Sequence, residues 1–146
     1  MEDHGVGILE LEFTGTSDKA AEHYEELGSE GRSAARTSLF LDYPYLIAYG
    51  LFLAGACVAV ADRARIAGRE RLAAAGVPLA WAALAAAGCD AVENAMLLVI
   101  LDGHTNQPWP ALAFAFAAVK FALAASASLY ALGGWLATLR RRTAAA

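Results

Sequence analysis

The sequence predicts an all-α integral membrane protein, a bundle of three transmembrane helices preceded by a short amphipathic helix. Two observations carry this expectation. The chain has 146 residues, of which 58% are hydrophobic and 18% charged, with a mean hydropathy of +0.43; an average soluble domain is about half apolar and about a quarter charged. Its apolar residues are also gathered into three long runs, 39–61, 77–101 and 110–139. Each meets or exceeds the length of about 20 residues that a helix needs to cross a bilayer core. A chain of this size holds one ordinary domain. Two cysteines exclude a disulfide scaffold, and the apolar content excludes a disordered chain. A net charge of −4 and a pI near 5.3 supply no field for nucleic acid. The alternative, a soluble bundle, would have to bury three such helices in a very short chain.

Residues 1–38 form an acidic segment, nine acids against three bases, for a net charge of −6. The segment lacks the basic start, hydrophobic centre and cleavage site of a signal peptide. Leu9, Leu11 and Phe13 alternate with Glu10, Glu12 and Thr14, which is the period of a strand. No second strand candidate is present to pair with it, so a short extended or interfacial segment is expected and the conformation of residues 1–17 stays open. Asp18 then caps a helix over 18–27, with Gly28 as its stop signal. Ala20, Tyr24 and Leu27 share one face of that helix, and Glu22, Glu25 and Glu26 lie elsewhere. Such a helix lies against a surface and spans nothing.

Residues 39–146 make up the transmembrane domain. The first run contains one acid, Asp42, and has Pro44 in its first turn, where a missing N–H costs little. The second contains Asp90 and Glu93, and the third one charge, Lys120. Gly133, Gly134 and the alanine-rich faces of the second and third runs provide the small residues that close packing in lipid requires. Arg63, Arg65, Arg69 and Arg71 lie in the first link and Arg140, Arg141 and Arg142 in the tail, whereas the link over 102–109 has no Lys or Arg. Three crossings place the first link and the tail on one side, and the positive-inside rule makes that side the cytoplasm. The expected location is the cell (inner) membrane, with the N-terminus outside and the C-terminus inside. Trp109, Tyr43 and Tyr45 would mark the outer interface, and Trp81 and Trp135 the inner one.

The charges within the runs point to a site, because ionisable groups at bilayer depth are costly and are usually kept for a purpose. Counting about 1.5 Å per residue from the outer end of each run puts Asp42 at about 4–5 Å, Glu93 at about 12 Å, Lys120 at about 15 Å and Asp90 at about 16 Å. Asp90 and Glu93 project from adjacent turns of one helix face, and Asn94 extends the polar stripe. Asp42, Tyr45 and Tyr49 follow i, i+3, i+7, which brings the Tyr49 hydroxyl to about 15 Å as well. The expected arrangement sets Lys120 opposite Asp90 and Glu93, with Tyr49 beside them and Asp42 above. Two carboxylates and one ammonium leave an excess negative charge, which a shared proton or a bound cation would balance. Asp90, Glu93, Asn94, Lys120, Tyr49 and Asp42 are therefore the candidates for a ligand or proton site. Buried Lys–acid pairs can equally fix helix register without any chemistry. On that reading Asp42 is an interfacial cap ahead of Pro44.

Other chemistry is not signalled. His4, His23 and His104 lack metal-ligand spacing, so neither a metal nor a cofactor is expected. Cys57 and Cys89 differ in estimated depth by about 9 Å, too far for a disulfide, and both read as small buried residues. No Walker, dinucleotide, nucleophile-elbow or HExxH motif occurs, and no residue is assigned a catalytic role.

Leu41-Asp42-Tyr43 and Tyr49-Gly50, then Asp90-Ala91-Val92-Glu93-Asn94, then Val119-Lys120-Phe121 form a pattern over about the last two thirds of the chain. It resembles small uncharacterised bacterial multi-pass membrane proteins that carry Asp-x-x-Glu-Asn in a transmembrane helix. The resemblance implies the helical membrane fold and weight on these polar positions, and no activity comes with it. Three function classes follow. The first is a bundle that binds a lipophilic or cationic small molecule, or a proton, at Asp90, Glu93 and Lys120. The second is an accessory or scaffold subunit whose cluster is a structural ion pair. The third is an intramembrane acid/base enzyme with Asp90 or Glu93 as general acid and Tyr49 nearby. The lipid bilayer is the expected partner, with a second copy or another membrane protein beside it and no nucleic acid. Three crossings enclose little volume and the chain has no internal repeat, so a transport pathway would need an oligomer.

Overall fold

The computed structural model describes residues 15–143, with side chains through Thr138. Three helices follow one another: α1 Ser17–Ile66, α2 Glu70–Leu101 and α3 Trp109–Thr143. Each is long and apolar enough to cross a membrane, and no strand occurs among the described residues. The alternating stretch at Leu9, Leu11 and Phe13 lies outside them, as does His4.

α1 begins well before the first apolar run because the acidic segment is rich in strong helix formers, Ala, Glu, Lys and Arg. Its first backbone bond runs from the Ala20 N–H to the Thr16 carbonyl at 3.1 Å. Thr16 therefore takes the cap position expected of Asp18, and Asp18 sits in the first turn, where a negative charge complements the helix dipole. The helix expected over 18–27 corresponds to the stretch of α1 ahead of the Gly28 kink. Gly28, the expected stop, does break the helical backbone, with φ +59° and ψ −174°, a combination open essentially only to glycine, and a second helical stretch follows at once across the kink. Arg32 spans the kink: its guanidinium lies 4.3 Å from the centre of the Tyr24 ring and donates to the Tyr24 carbonyl at 2.9 Å. Ala20 is buried and Leu27 packs on the core, while Glu22, Glu25 and Glu26 face outward. Pro44, expected in a first turn, lies in the interior of α1. There it leaves the Phe40 carbonyl without its helical donor.

Inward residues recur in alternating steps of three and four along each helix. On α2 they include Ala73, Gly76, Ala80, Ala83, Ala87 and Asp90; on α3, Pro110, Ala113, Ala117 and Lys120. This is the seven-residue period of helices packed along a seam. The helices contribute to two compact units, one formed by the described residues up to Leu46 with Cys89–Val119, the other by Ile47–Gly88 with the described residues from Lys120 onward.

The first unit has a core of Leu39, Leu97, Ile100 and Leu101, filled in by Ala20, Ala35 and Ala113. Arg36 pairs with Asp102 and donates to the Leu101 carbonyl at 3.5 Å, covering an orphan acceptor at the end of α2. Gln107 donates to the Gly15 carbonyl at 3.3 Å, so the start of the described chain is fastened to the α2–α3 link.

The second unit is packed through small residues. Cys57, Ala80, Ala83 and Ala127 form its centre. A Cβ on Gly76 would lie 2.3 Å from the Ala61 Cβ, and one on Gly50 would lie 2.8 Å from the Ala87 Cβ. Gly134 likewise abuts Val60, whereas Gly133 faces open space, so only one of the glycine pair serves close packing. Tyr130 donates to the Leu72 carbonyl at 2.8 Å. Both cysteines are free, and Cys89, expected to be buried, is only half-buried.

Large apolar side chains point away from these cores. Only 22–33% of the most apolar window of each helix is buried within the chain. Phe52, Leu41 and Leu129 stand exposed, as does Trp81. In water such helices would present continuous apolar faces; in a bilayer those faces meet lipid.

Candidate functional site

The site is built on the inward stripe of α2. That stripe passes through alanines to Ala87, turns polar at Asp90, Glu93 and Asn94, and becomes apolar again at Leu97, Ile100 and Leu101. Spacings of three and four residues keep all of these on one face. Glu93 is fully buried, Asn94 is 1% exposed and Asp90 7%. The charged and amide groups of this helix segment thus face inward, although the surrounding positions of α2 are apolar.

Within the first unit, α1 meets this stripe. The Asn94 side-chain amide donates to the Asp42 carboxylate at 2.7 Å. One residue on, the Tyr43 hydroxyl donates to the Ala91 carbonyl at 3.3 Å. Asp42 lies far inside α1 and is engaged by Asn94, so it is not the interfacial cap that its place before Pro44 suggested.

Tyr45 does not share the stripe with Asp42: it is 63% exposed. The inward face of α1 runs through Asp42 and Tyr43 to Leu46 and Gly50. The i, i+3, i+7 reading therefore fails at Tyr45. Tyr49 is half-buried in the second unit. Lys120, also in the second unit, is 8% exposed on the inward face of α3, with its ammonium 5.1 Å from the centre of the Phe121 ring. None of Tyr49, Asp90, Glu93 and Lys120 is without a partner.

Among the described residues, the buried charged and polar side chains are Asp90, Glu93, Asn94 and Lys120. Two carboxyl groups and one ammonium are therefore held out of water. An ionised carboxylate in such surroundings is costly unless a counter-charge or a proton compensates it. Acid pairs of this kind can hold a proton or a small cation, and an amide such as Asn94 can orient them.

The remaining candidates stay apart from this chemistry. His23 pairs with Glu26 at 3.2 Å, and His104 lies exposed in the α2–α3 link. Among the described residues no group of three or more His, Cys, Asp or Glu is placed to hold a metal ion. Sequence reasoning missed Tyr43 and Arg36 as contributors. Tyr43 was readable: it neighbours Asp42 and precedes Leu46 by three residues, which places it on the inward side. Arg36 gave no such signal, because its partner Asp102 is 66 positions away. No protein-family model, curated protein or solved structure matches the chain.

Proposed function

We propose that the chain is a multi-pass membrane protein that holds a proton or a monovalent cation at the Asp90/Glu93 pair. The supporting observation is the placement of both acids on the buried stripe of α2, with Glu93 fully buried and Asp90 7% exposed. Carboxyl groups so placed carry a negative charge only at a high cost in a medium that does not solvate ions, and a proton or a cation lowers that cost. Asn94, which follows Glu93 directly, is bound to Asp42 and ties this segment of α2 to α1. On this reading the arginine-rich first link and tail lie in the cytoplasm, the 102–108 link lies outside, and the membrane is the cell (inner) membrane.

The test uses the full chain in lipid nanodiscs. Infrared difference spectroscopy of the parent and of Glu93→Gln and Asp90→Asn looks for the carbonyl band of a protonated buried carboxyl. Thermal unfolding is followed in parallel as sodium or potassium replaces choline at constant ionic strength. A protonated-carboxyl band in the parent that is lost in one variant identifies a proton. Stabilisation by sodium or potassium that both variants lose identifies a cation. A parent with neither would refute the proposal.

A second reading has its own support. The hydrogen bond from Asn94 to Asp42 joins α1 to α2 at 2.7 Å, and a buried polar pair of this kind can set helix register. An accessory subunit would keep its polar seam for assembly alone. Such a protein would show no cation dependence and would lose its fold, or its partner, when the seam is neutralised.

A further inference from the structure

We infer that the end of the second unit formed by the α1–α2 turn and the last turns of α3 binds the phosphate headgroup of an anionic phospholipid. The inference rests on the membrane reading above but is independent of the Asp90/Glu93 pair. Three contacts bring the relevant residues to one place. Gly134 abuts both Val60 and Leu72. This sets Trp135, Arg63 and Arg71 at the same end, because each is adjacent to, or one turn from, one of those residues. The Arg69 N–H donates to the Ala64 carbonyl at 2.8 Å and closes the turn around Gly68, whose φ is +67°.

The arginines at this end differ in how they are used. Arg65 is paired with Asp62 at 2.9 Å. Arg63, Arg69 and Arg71 have no carboxylate within ion-pair distance among the described residues, although Glu70 lies between two of them. Arg63 instead lies with its guanidinium carbon 3.7 Å from the centre of the Trp135 ring. Stacking occupies one face of the guanidinium and leaves the in-plane N–H donors at its edge for a ligand. A planar fork held on an indole is suited to bidentate recognition of a phosphate, which a mobile lysine would meet only as a point charge. Trp135 is 41% exposed, as an interfacial tryptophan is when its ring rests at headgroup level. The occupant that matches both the charge and the aromatic floor is the phosphodiester of an anionic lipid in the leaflet facing this end.

The test compares nanodiscs of phosphatidylcholine alone with nanodiscs containing phosphatidylglycerol, with the full chain, by thermal unfolding and by native mass spectrometry of retained lipid. Phosphatidylglycerol is expected to stabilise the parent and to be retained in preference to phosphatidylcholine. Arg63→Gln should lower that preference by about fivefold, the factor for one interfacial arginine. Trp135→Leu should lower it as well, without any change of net charge, and Trp135→Phe should restore part of it. Arg65→Gln is the control, because Arg65 already has Asp62, and it should leave the preference nearly unchanged. Equal losses for Arg63→Gln and Arg65→Gln would mean a diffuse surface field and would overturn the inference. Stabilisation of the parent by inorganic phosphate in phosphatidylcholine discs, with no added effect of phosphatidylglycerol, would also overturn it by pointing to a free anion. Failure of the membrane reading looks different: alkaline washing would then strip the parent from phosphatidylcholine vesicles.

Discussion

Asn94 and Asp42 are 52 positions apart in sequence and 2.7 Å apart in space. At this scale a polar side chain is useful to the fold only when another satisfies it. Hydrogen bonds to charged groups contribute about 1.5–3 kcal/mol in soluble proteins, and bonds between membrane helices average about 0.6 kcal/mol. Asn94→Ala and Asp42→Ala are each expected to cost about 1–2 kcal/mol. Their double-mutant cycle should show coupling of about 1 kcal/mol, measured by unfolding in detergent; strictly additive losses would show that the bond carries no energy. The polar residues of this seam were legible from the sequence, because a charge within an apolar run is conspicuous. Their partners were less so. Asp42 reads as an interfacial cap because the length of α1 is not apparent in the sequence, and the spacing turns Tyr45 inward, whereas it is Tyr43 that bonds α2. A spacing rule gives the angle between two side chains of a helix, but not which side the neighbouring helices take.

The elements show the same division between composition and context. The three apolar runs marked the helices, and the end of α2 at Leu101 agrees with the run that predicted it. The start of α1 was not visible because acidic residues such as Glu22 and Glu25 lower hydropathy while favouring helix. Gly28 carried a true signal, a left-handed residue, but Arg32 and Tyr24 hold the chain together across it and the helix resumes. Gly28→Ala meets no side chain there; it is nevertheless expected to cost about 1–3 kcal/mol from backbone strain alone. Unfolding midpoints of the variant and the parent check this, and an unchanged midpoint would mean that α1 straightens without loss. In the second unit, Gly76→Ala drives a methyl group into Ala61 and should cost about 1–3 kcal/mol. Gly133→Ala faces open space and should be neutral or slightly stabilising in the same assay. The two glycines look alike in sequence, and only packing separates them.

For the molecule as a whole, the exposed apolar surface of all three helices and the buried acids of α2 suit the proposed membrane setting, in which lipid would be the solvent. Orientation is tested by cysteine labelling in intact cells. Thr105→Cys in the 102–108 link should react with a membrane-impermeant maleimide, and Ala67→Cys in the arginine-rich turn should react only after lysis; the reverse pattern would invert the topology. The fold class was legible because hydrophobicity is additive along a run. What the buried charges are for was not, since a structural ion pair and a proton site use the same residues. The most direct measurement is thermal unfolding in nanodiscs of the parent, Glu93→Gln, Asp90→Asn, Lys120→Met and the Glu93→Gln/Lys120→Met pair. If the acids hold an excess charge for a proton or cation, neutralising either one should leave stability within about 1 kcal/mol of the parent or raise it, since a site kept for function is not optimised for folding. If instead Glu93→Gln and Lys120→Met each cost about 3–5 kcal/mol and the pair recovers much of that loss, the charges are a structural ion pair and the account is contradicted.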